Sequence, residues 1–223
     1  DTKITDNGLR HLSELQSLPR KLFLDNTRIT DSGLRHIAGL TGLTTLDISG
    51  TQITDEGLEH LAELDTLRKL DLSDTSVSGE GLRHLSGLRA LAVLHLDDTP
   101  VTDKGLRAAA QLKNLRVLKL DDSHITDKGL RHVAGLDKLT HLDLYRTDVS
   151  DEGLKHLAKL KNLRRLNLSG TLATDRGLSH LGDLEKLQSL DLSRTRVTAE
   201  GVKDLEAANP DLDIQLVSVT AEL

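Results

Sequence analysis

Seven histidines, His11, His36, His60, His84, His132, His156 and His180, share one slot of a recurring pattern, with Ala108 and Asp204 in that slot elsewhere. A column of imidazoles is the raw material of a metal site or a proton relay. Beside it runs a basic column of Arg10, Arg35, Arg83, Arg107, Arg131, Lys155 and Lys203, broken by Glu59 and Ser179. Asp74, Asp98 and Asp122 recur at a third slot, and Asp97 and Asp121 at the one before it. On in-register strands such carboxylates would stand about 4.8 Å apart. Three readings of that ladder stay open: a solvated acidic surface, a docking site for a basic partner, and a Ca²⁺ site. Calcium takes six to eight oxygens from adaptable loops, which a flat ladder supplies poorly.

The spacing of the histidines argues against a metal. Their slot lies two residues after the first helical leucine, about 200° round the helix and so toward solvent. Neighbouring helices pack about 8–10 Å apart, and no HExxH pair is present. The basic column has no interleaved aromatics to stack bases, and Glu14, Glu63 and Asp183 share its helices, so nucleic acid is not an expected partner. A GxSxG elbow, a Gly-rich phosphate loop and an aromatic sugar platform are all missing, so neither catalysis nor a cofactor is expected. With no Cys, thiolate chemistry and disulfides are excluded. The balance of 29 basic and 35 acidic residues gives a net charge of -6, which disfavours a polyanion.

The elements that carry these columns are copies of one unit. A hydroxyl-x-[Ile/Val/Ala]-[Thr/Ser] step recurs with its third residue at Ile4, Ile29, Ile53, Val77, Val101, Ile125, Val149, Ala173 and Val197. The spacing is 25 once, near Pro19, and 24 thereafter. In a representative unit Leu46 and Ile48 alternate with Thr45, Asp47 and Ser49, the mark of a short strand. Leu58, Leu61 and Ala62 follow at helical spacing. Each helix start carries a hydroxyl able to cap the first turn, as at Thr30, Ser78 and Thr126, and Asp follows in seven of nine cases. Gly occupies one early helical slot nine times, from Gly8 to Gly201, although it costs about 1 kcal/mol in a helix. The expected cause is close approach to the neighbouring coil. Stacked units give parallel strands on one side and wider helices on the other, so the stack curves with its strands inside.

The pattern LxxLxLxxT-x-[IV]-T-D-x-G-L resembles a leucine-rich repeat over nearly the whole chain. Its ITDxGL half is similar to the cysteine-containing subclass of F-box receptors and many bacterial repeat proteins, with Thr or Ser in place of the family's Asn or Cys. Those hydroxyls, Thr27 to Thr195, are expected to make the family's loop-bridging hydrogen bonds. No F-box segment is present. The resemblance implies an α/β leucine-rich-repeat solenoid, a curved horseshoe with about nine parallel strands on the concave face and short helices on the convex face. It also implies recognition of a protein or peptide. Residues 1–223 read as one domain, with 206–223 as its C-terminal cap. Leu9, Leu12 and Leu22 are expected near a partly exposed edge that meets an upstream domain or another copy of the chain.

The concave face carries the functional expectation. Its outward slots hold six basic and eleven acidic residues, a balance of -5 that accounts for most of the net charge of -6. Phe23 and Tyr145, the only aromatics, are expected at outward strand positions, and aromatic residues are enriched at interface hot spots. The candidate surface centres on strands four to six: Tyr145 and Arg146 as anchors, His141, Asp143, His95 and Lys119 around them, and Asp97, Asp98, Asp121 and Asp122 selecting a basic partner. Phe23 lies about five strand spacings, roughly 24 Å, from Tyr145. Two alternatives stand beside this module: a designed consensus scaffold without a natural ligand, and a sensor fragment of a larger signalling protein. Pro19, Ser78-Gly79 and His124 are irregularities that a designer would avoid. No apolar run is long enough for membrane insertion. The lack of a signal peptide and of Cys favours the cytoplasm.

Overall fold

The computed structural model describes residues 4–14 and 20–217. The irregular repeat junction at Pro19 and the last part of the expected C-terminal cap, 218–223, lie outside the described residues. Nine strands form one parallel sheet in strict sequence order. They are β1 (Lys21–Phe23), β2 (Thr45–Asp47), β3 (Lys69–Asp71), β4 (Val93–His95), β5 (Val117–Lys119), β6 (His141–Asp143), β7 (Arg165–Asn167), β8 (Ser189–Asp191) and β9 (Asp213–Gln215). Each residue pairs with its equivalent one coil later, as Leu94 with Leu118 and Leu118 with Leu142. A short helical segment precedes each strand: an α-helix at Asp127–Val133, for example, and 3-10 turns at Gly57–Leu61 and Glu80–Leu85. Among the described residues no helix is long and apolar enough to cross a membrane.

Leucine does the work that aromatics do in most cores. In the coil leading to β3, Leu46, Ile48, Ile53, Leu58, Leu61, Leu64 and Leu67 are all fully buried. The inner coils repeat that set, so the core is one continuous column of aliphatic side chains. At the N-terminal edge Leu9 is buried, while Leu12 and Leu22 are half-buried. At the other end the helix Lys203–Ala208 stops before Asn209-Pro210, and β9 adds a last, half-exposed rung.

The helix-start aspartates do more than face a dipole. Asp31 accepts from the backbone N–H of Thr54 (2.8 Å) and from its hydroxyl (2.7 Å), one coil further on. Asp127 does the same to Ser150, and Asp151 to Thr174. This ladder explains the glycine column: a Cβ at Gly177 would stand 2.5 Å from Oδ1 of Asp151, and at Gly81 it would strike the backbone of Asp55. The hydroxyls act as caps in part: Thr30, Thr126 and Thr174 accept from an amide two residues on, whereas Thr102 and Ser150 do not.

The hydroxyl column after the strand corrects an expectation. Thr51 donates to the carbonyl of Ile48, Thr99 to Leu96 and Thr147 to Leu144, each three residues back in its own coil. These buried hydroxyls close a turn within their own coil and do not bridge loops. The histidine column is solvent-exposed as expected at His11 and His36, whereas His60, His84, His132, His156 and His180 are half-buried. Burial, together with the charges of Arg131 and Arg107, lowers the pKa of His132.

Candidate functional site

Beyond each three-residue strand the intercoil ladder continues into a turn, and this dictates residue type on the sheet's exit rim. The N–H of Asp74 donates to the carbonyl of Asp97, Asp98 to Asp121, Asp122 to Tyr145, Arg146 to Ser169 and Arg194 to Val217, all at 2.9–3.0 Å. Each of these donors sits in the left-handed region, with φ of 52° at Asp74, Asp98, Asp122 and Arg146 and 56° at Arg194. Asn26, Gly50 and Gly170 occupy the same slot in the remaining coils. Gly, Asn and Asp tolerate that conformation better than other residues. Thus the column of Asp74, Asp98 and Asp122 has a backbone cause.

A second acidic column has one too. Oδ1 of Asp47 accepts from the N–H of Ser49, Asp71 from Ser73, Asp143 from Tyr145 and Asp191 from Ser193, with Asn167 doing the same for Ser169. These are side-chain turns that lead the chain out of the strand. In the coils of β1, β4 and β5 that slot holds Phe23, His95 and Lys119, and the aspartate stands two residues later as Asp25, Asp97 and Asp121. Sequence spacing shows both columns but not which carboxylates the backbone uses.

The carboxylates of Asp97 and Asp121, two residues beyond β4 and β5, meet at the middle of the sheet. Oδ1 of Asp97 and of Asp121 are buried without a hydrogen-bond partner among the described residues. Burial, then the charges of Asp143 and Asp97, push Asp121 up to about 8, so it holds a proton at neutral pH. Burial also raises Asp97, against the opposing charges of Lys119 and His95. Asp71 goes the other way. Burial would raise it, but His95 at 2.7 Å and Ser73 outweigh burial and hold it well below the usual carboxylate range. Lys69 (3.4 Å) also faces Asp71, Lys119 (3.8 Å) faces Asp97, and Arg146 (3.2 Å) faces Asp122. These three cations are already counted in the balance of -5, which the proton on Asp121 reduces to -4 at neutral pH. Among the described residues no three His, Asp or Glu side chains converge to hold a metal ion.

The candidate residues divide into two groups. Lys119, His141 and Asp143 line a shallow depression of about 320 Å³ over β5–β9 together with the half-buried Val117, while the side chains of Leu118, Leu142 and Leu166 at its base are buried in the core beneath the sheet. Arg165, Asn167, Ser189, Asp191 and Gln215 complete its walls. These five lie outside the expected contact surface, although the outward slots of strands seven to nine identify them. Burial and the charges of Arg165 and Arg164 lower the pKa of His141. Phe23 lies apart at the end of β1, 60% exposed. Tyr145 and Arg146 are not on the strand as expected but on the turn two and three residues beyond β6, at the exit rim. There the Arg146 guanidinium carbon lies 5.7 Å from the Tyr145 ring centre, and Nη1 of Arg194 donates to the Tyr145 hydroxyl at 3.3 Å.

No curated protein matches the sequence. Among solved structures, the crystal structure of an internalin C2 from Listeria monocytogenes superposes with a TM-score of 0.74 at 25% identity, over 95% of this chain and 92% of that one. A second internalin of the same organism is similar in fold, with a TM-score of 0.50 at 21% identity over 95% of this chain and 76% of that one. The profile described as "Leucine Rich repeat" matches residues 40–62, 64–86, 111–134, 137–158 and 184–205, about half the chain. With its nine in-register coils and repeated leucine column, the chain belongs to the leucine-rich-repeat family.

Proposed function

We propose that this chain is a non-catalytic recognition module that binds a protein or peptide through its concave face. The observation that carries the reading is the open depression over β5–β9, where Val117 lies among Lys119, His141, Asp143 and Arg165. A shallow, open depression with a polar rim suits a side chain of an extended ligand better than it suits chemistry on a small substrate, which needs an enclosed site. His95, Asp97, Asp121 and Asp122 flank it, and Phe23 would engage only a partner that follows the arc. Asp98 shares that flank through its turn position. A cationic side chain of the partner seated between Asp97 and Asp121 would displace the proton they hold, so such binding would tighten as pH rises toward 8.

The test is selection of peptides from a random displayed library on the folded chain, followed by affinity measurements on variants. His141→Ala and Arg165→Ala should weaken the selected peptides, whereas Arg83→Ala and Arg131→Ala on the convex face should not. Binding lost only with the convex changes would refute the concave assignment.

A further inference from the structure

The exit rim changes character between β5 and β6. From β3 to β5 its left-handed slot holds Asp74, Asp98 and Asp122, residues suited to φ near 52°. At β6 and β8 the same slot holds Arg146 and Arg194, which gain nothing from that conformation. The backbone cannot relax, because the N–H of each is fixed to the next coil at 2.9–3.0 Å. Strain held in place by its surroundings at non-tolerant residues points to function at those residues. Asp122 faces Arg146 at 3.2 Å, but the arginine side chain is 61% exposed, so this pair is weak compensation.

The intervening coil shapes the space between them. It carries Gly170, so the slot between the Arg146 and Arg194 positions, which lie two coils or about 10 Å apart along the sheet, holds no side chain of its own. A Cβ at Gly170 would already lie 3.0 Å from Cγ of Arg146. Tyr145 stands beside this notch, touched by both arginines. Two residues past Gly170, Leu172 is 42% exposed in a slot that is Gln52, Ser76 and Asp148 in other coils. Arg196 extends the positive charge one coil further. Against these three arginines stand Asp122, 3.2 Å from Arg146, and the exposed Asp148.

We propose that this rim, formed by Tyr145, Arg146, Gly170, Leu172, Arg194 and Arg196, docks a short acidic segment of a protein partner that also carries an apolar side chain. Paired guanidinium groups suit carboxylates, which they can hold through two hydrogen bonds. Leu172 and the Tyr145 ring offer the apolar contact. A nucleic acid fits less well, since three arginines and one aromatic sit on a chain of net charge -6 that repels a long polyanion. The proposal rests on protein recognition as the function, but it names a different surface and the opposite partner charge from the concave reading.

The test uses the ¹⁵N-labelled chain and a blocked octapeptide of glutamates with two leucines (EELEELEE). Saturable binding should perturb amides in 145–148, 169–172 and 193–196 and should weaken as salt is added. The changes R146G and R194G, which install the residue found at Gly50 and Gly170, should each weaken the peptide about tenfold, the worth of one charged hydrogen bond. Both should leave the unfolding midpoint unchanged or raise it. Leu172→Glu, which leaves the turn intact, should also weaken the peptide, while His141→Ala and Arg165→Ala should not. The proposal fails if the peptide does not saturate, if the perturbed amides map to the convex basic column, or if the glycine variants keep full affinity. A lowered unfolding midpoint in the glycine variants would also overturn it, by making the arginines structural. Loss of binding in His141→Ala alone would leave the concave reading standing and remove the rim.

Discussion

The rim of β3–β5 and the rim of β6–β8 share one backbone and differ in almost every exposed side chain. Both run through the same left-handed turn, pinned by the same hydrogen bond to the next coil. In the first, the aspartates satisfy that turn, and Asp71, Asp97 and Asp122 are answered by His95, Lys119 and Arg146. In the second, Arg146 and Arg194 oppose the preference of the turn and reach toward Tyr145. The first is what the backbone requires; the second is not. A repeat protein thus supplies its own control: where one coil departs from a slot whose physics is fixed, the departure stands out.

The largest test asks whether the two rims belong to one folding unit. Leu118 of β5 is fully buried beneath their junction. Leu118→Ala should cost about 2–5 kcal/mol through lost burial and a cavity. Tyr145 fluorescence, which reports on the basic side alone, should then change at the same denaturant concentration as the circular dichroism of the whole chain. Separate transitions would divide the solenoid between the two rims.

The convex ladder should be indifferent to the difference between the rims. Gly57→Ala on the acidic side and Gly177→Ala on the basic side each put a methyl into an aspartate carboxylate of the previous coil. Each should lose about 2–3 kcal/mol in chemical denaturation, from overpacking and a broken intercoil hydrogen bond. Markedly unequal losses would mean that the coils are not mechanically equivalent.

Protonation belongs to the acidic side. The folded-state pKa of Asp121, about 8, lies above its unfolded value. Its contribution is therefore fully present below about pH 4 and is lost as pH rises through 8. Asp121→Asn removes that slope, and at pH 9 it should be more stable than the parent by about 1–2 kcal/mol, a value reduced for solvent screening of a carboxyl that is only partly buried. Thermal melts of both proteins between pH 5 and pH 9 check this. Parallel curves would show that the carboxylates of Asp97 and Asp121 do not share a proton.

The smallest effect is the most direct on the rim itself. Arg146→Gly should stabilise by about 0.5–1 kcal/mol, relief of left-handed strain less the entropy that glycine loses. Asp98→Arg, which copies the basic rim onto the acidic side, should destabilise by a similar amount. Denaturation midpoints with the opposite signs would remove the claim that the two rims differ in strain.

The fold was legible because it is written in residue types at fixed intervals. A 24-residue period, leucines at two alternating and several helical spacings, and one glycine per helix start left no other packing. Even the reason for the glycine, a close neighbour, followed from the cost of placing it in a helix. The site was legible only as a set of columns. Whether Asp143 caps a turn, Asp122 suits a left-handed residue or Asp121 keeps a proton depends on partners in the same turn or one coil away, and spacing treats all three alike. The position of Tyr145 was misjudged for a related reason: alternation continues past the strand in the sequence, while the strand ends at Asp143 and the chain turns. Sequence alone settled the repeat, the core and the stacking, since these follow from local pattern and burial. Only the tertiary structure decided which charges are used by the backbone, which are paired and which face outward, because those answers depend on distances between residues of successive coils.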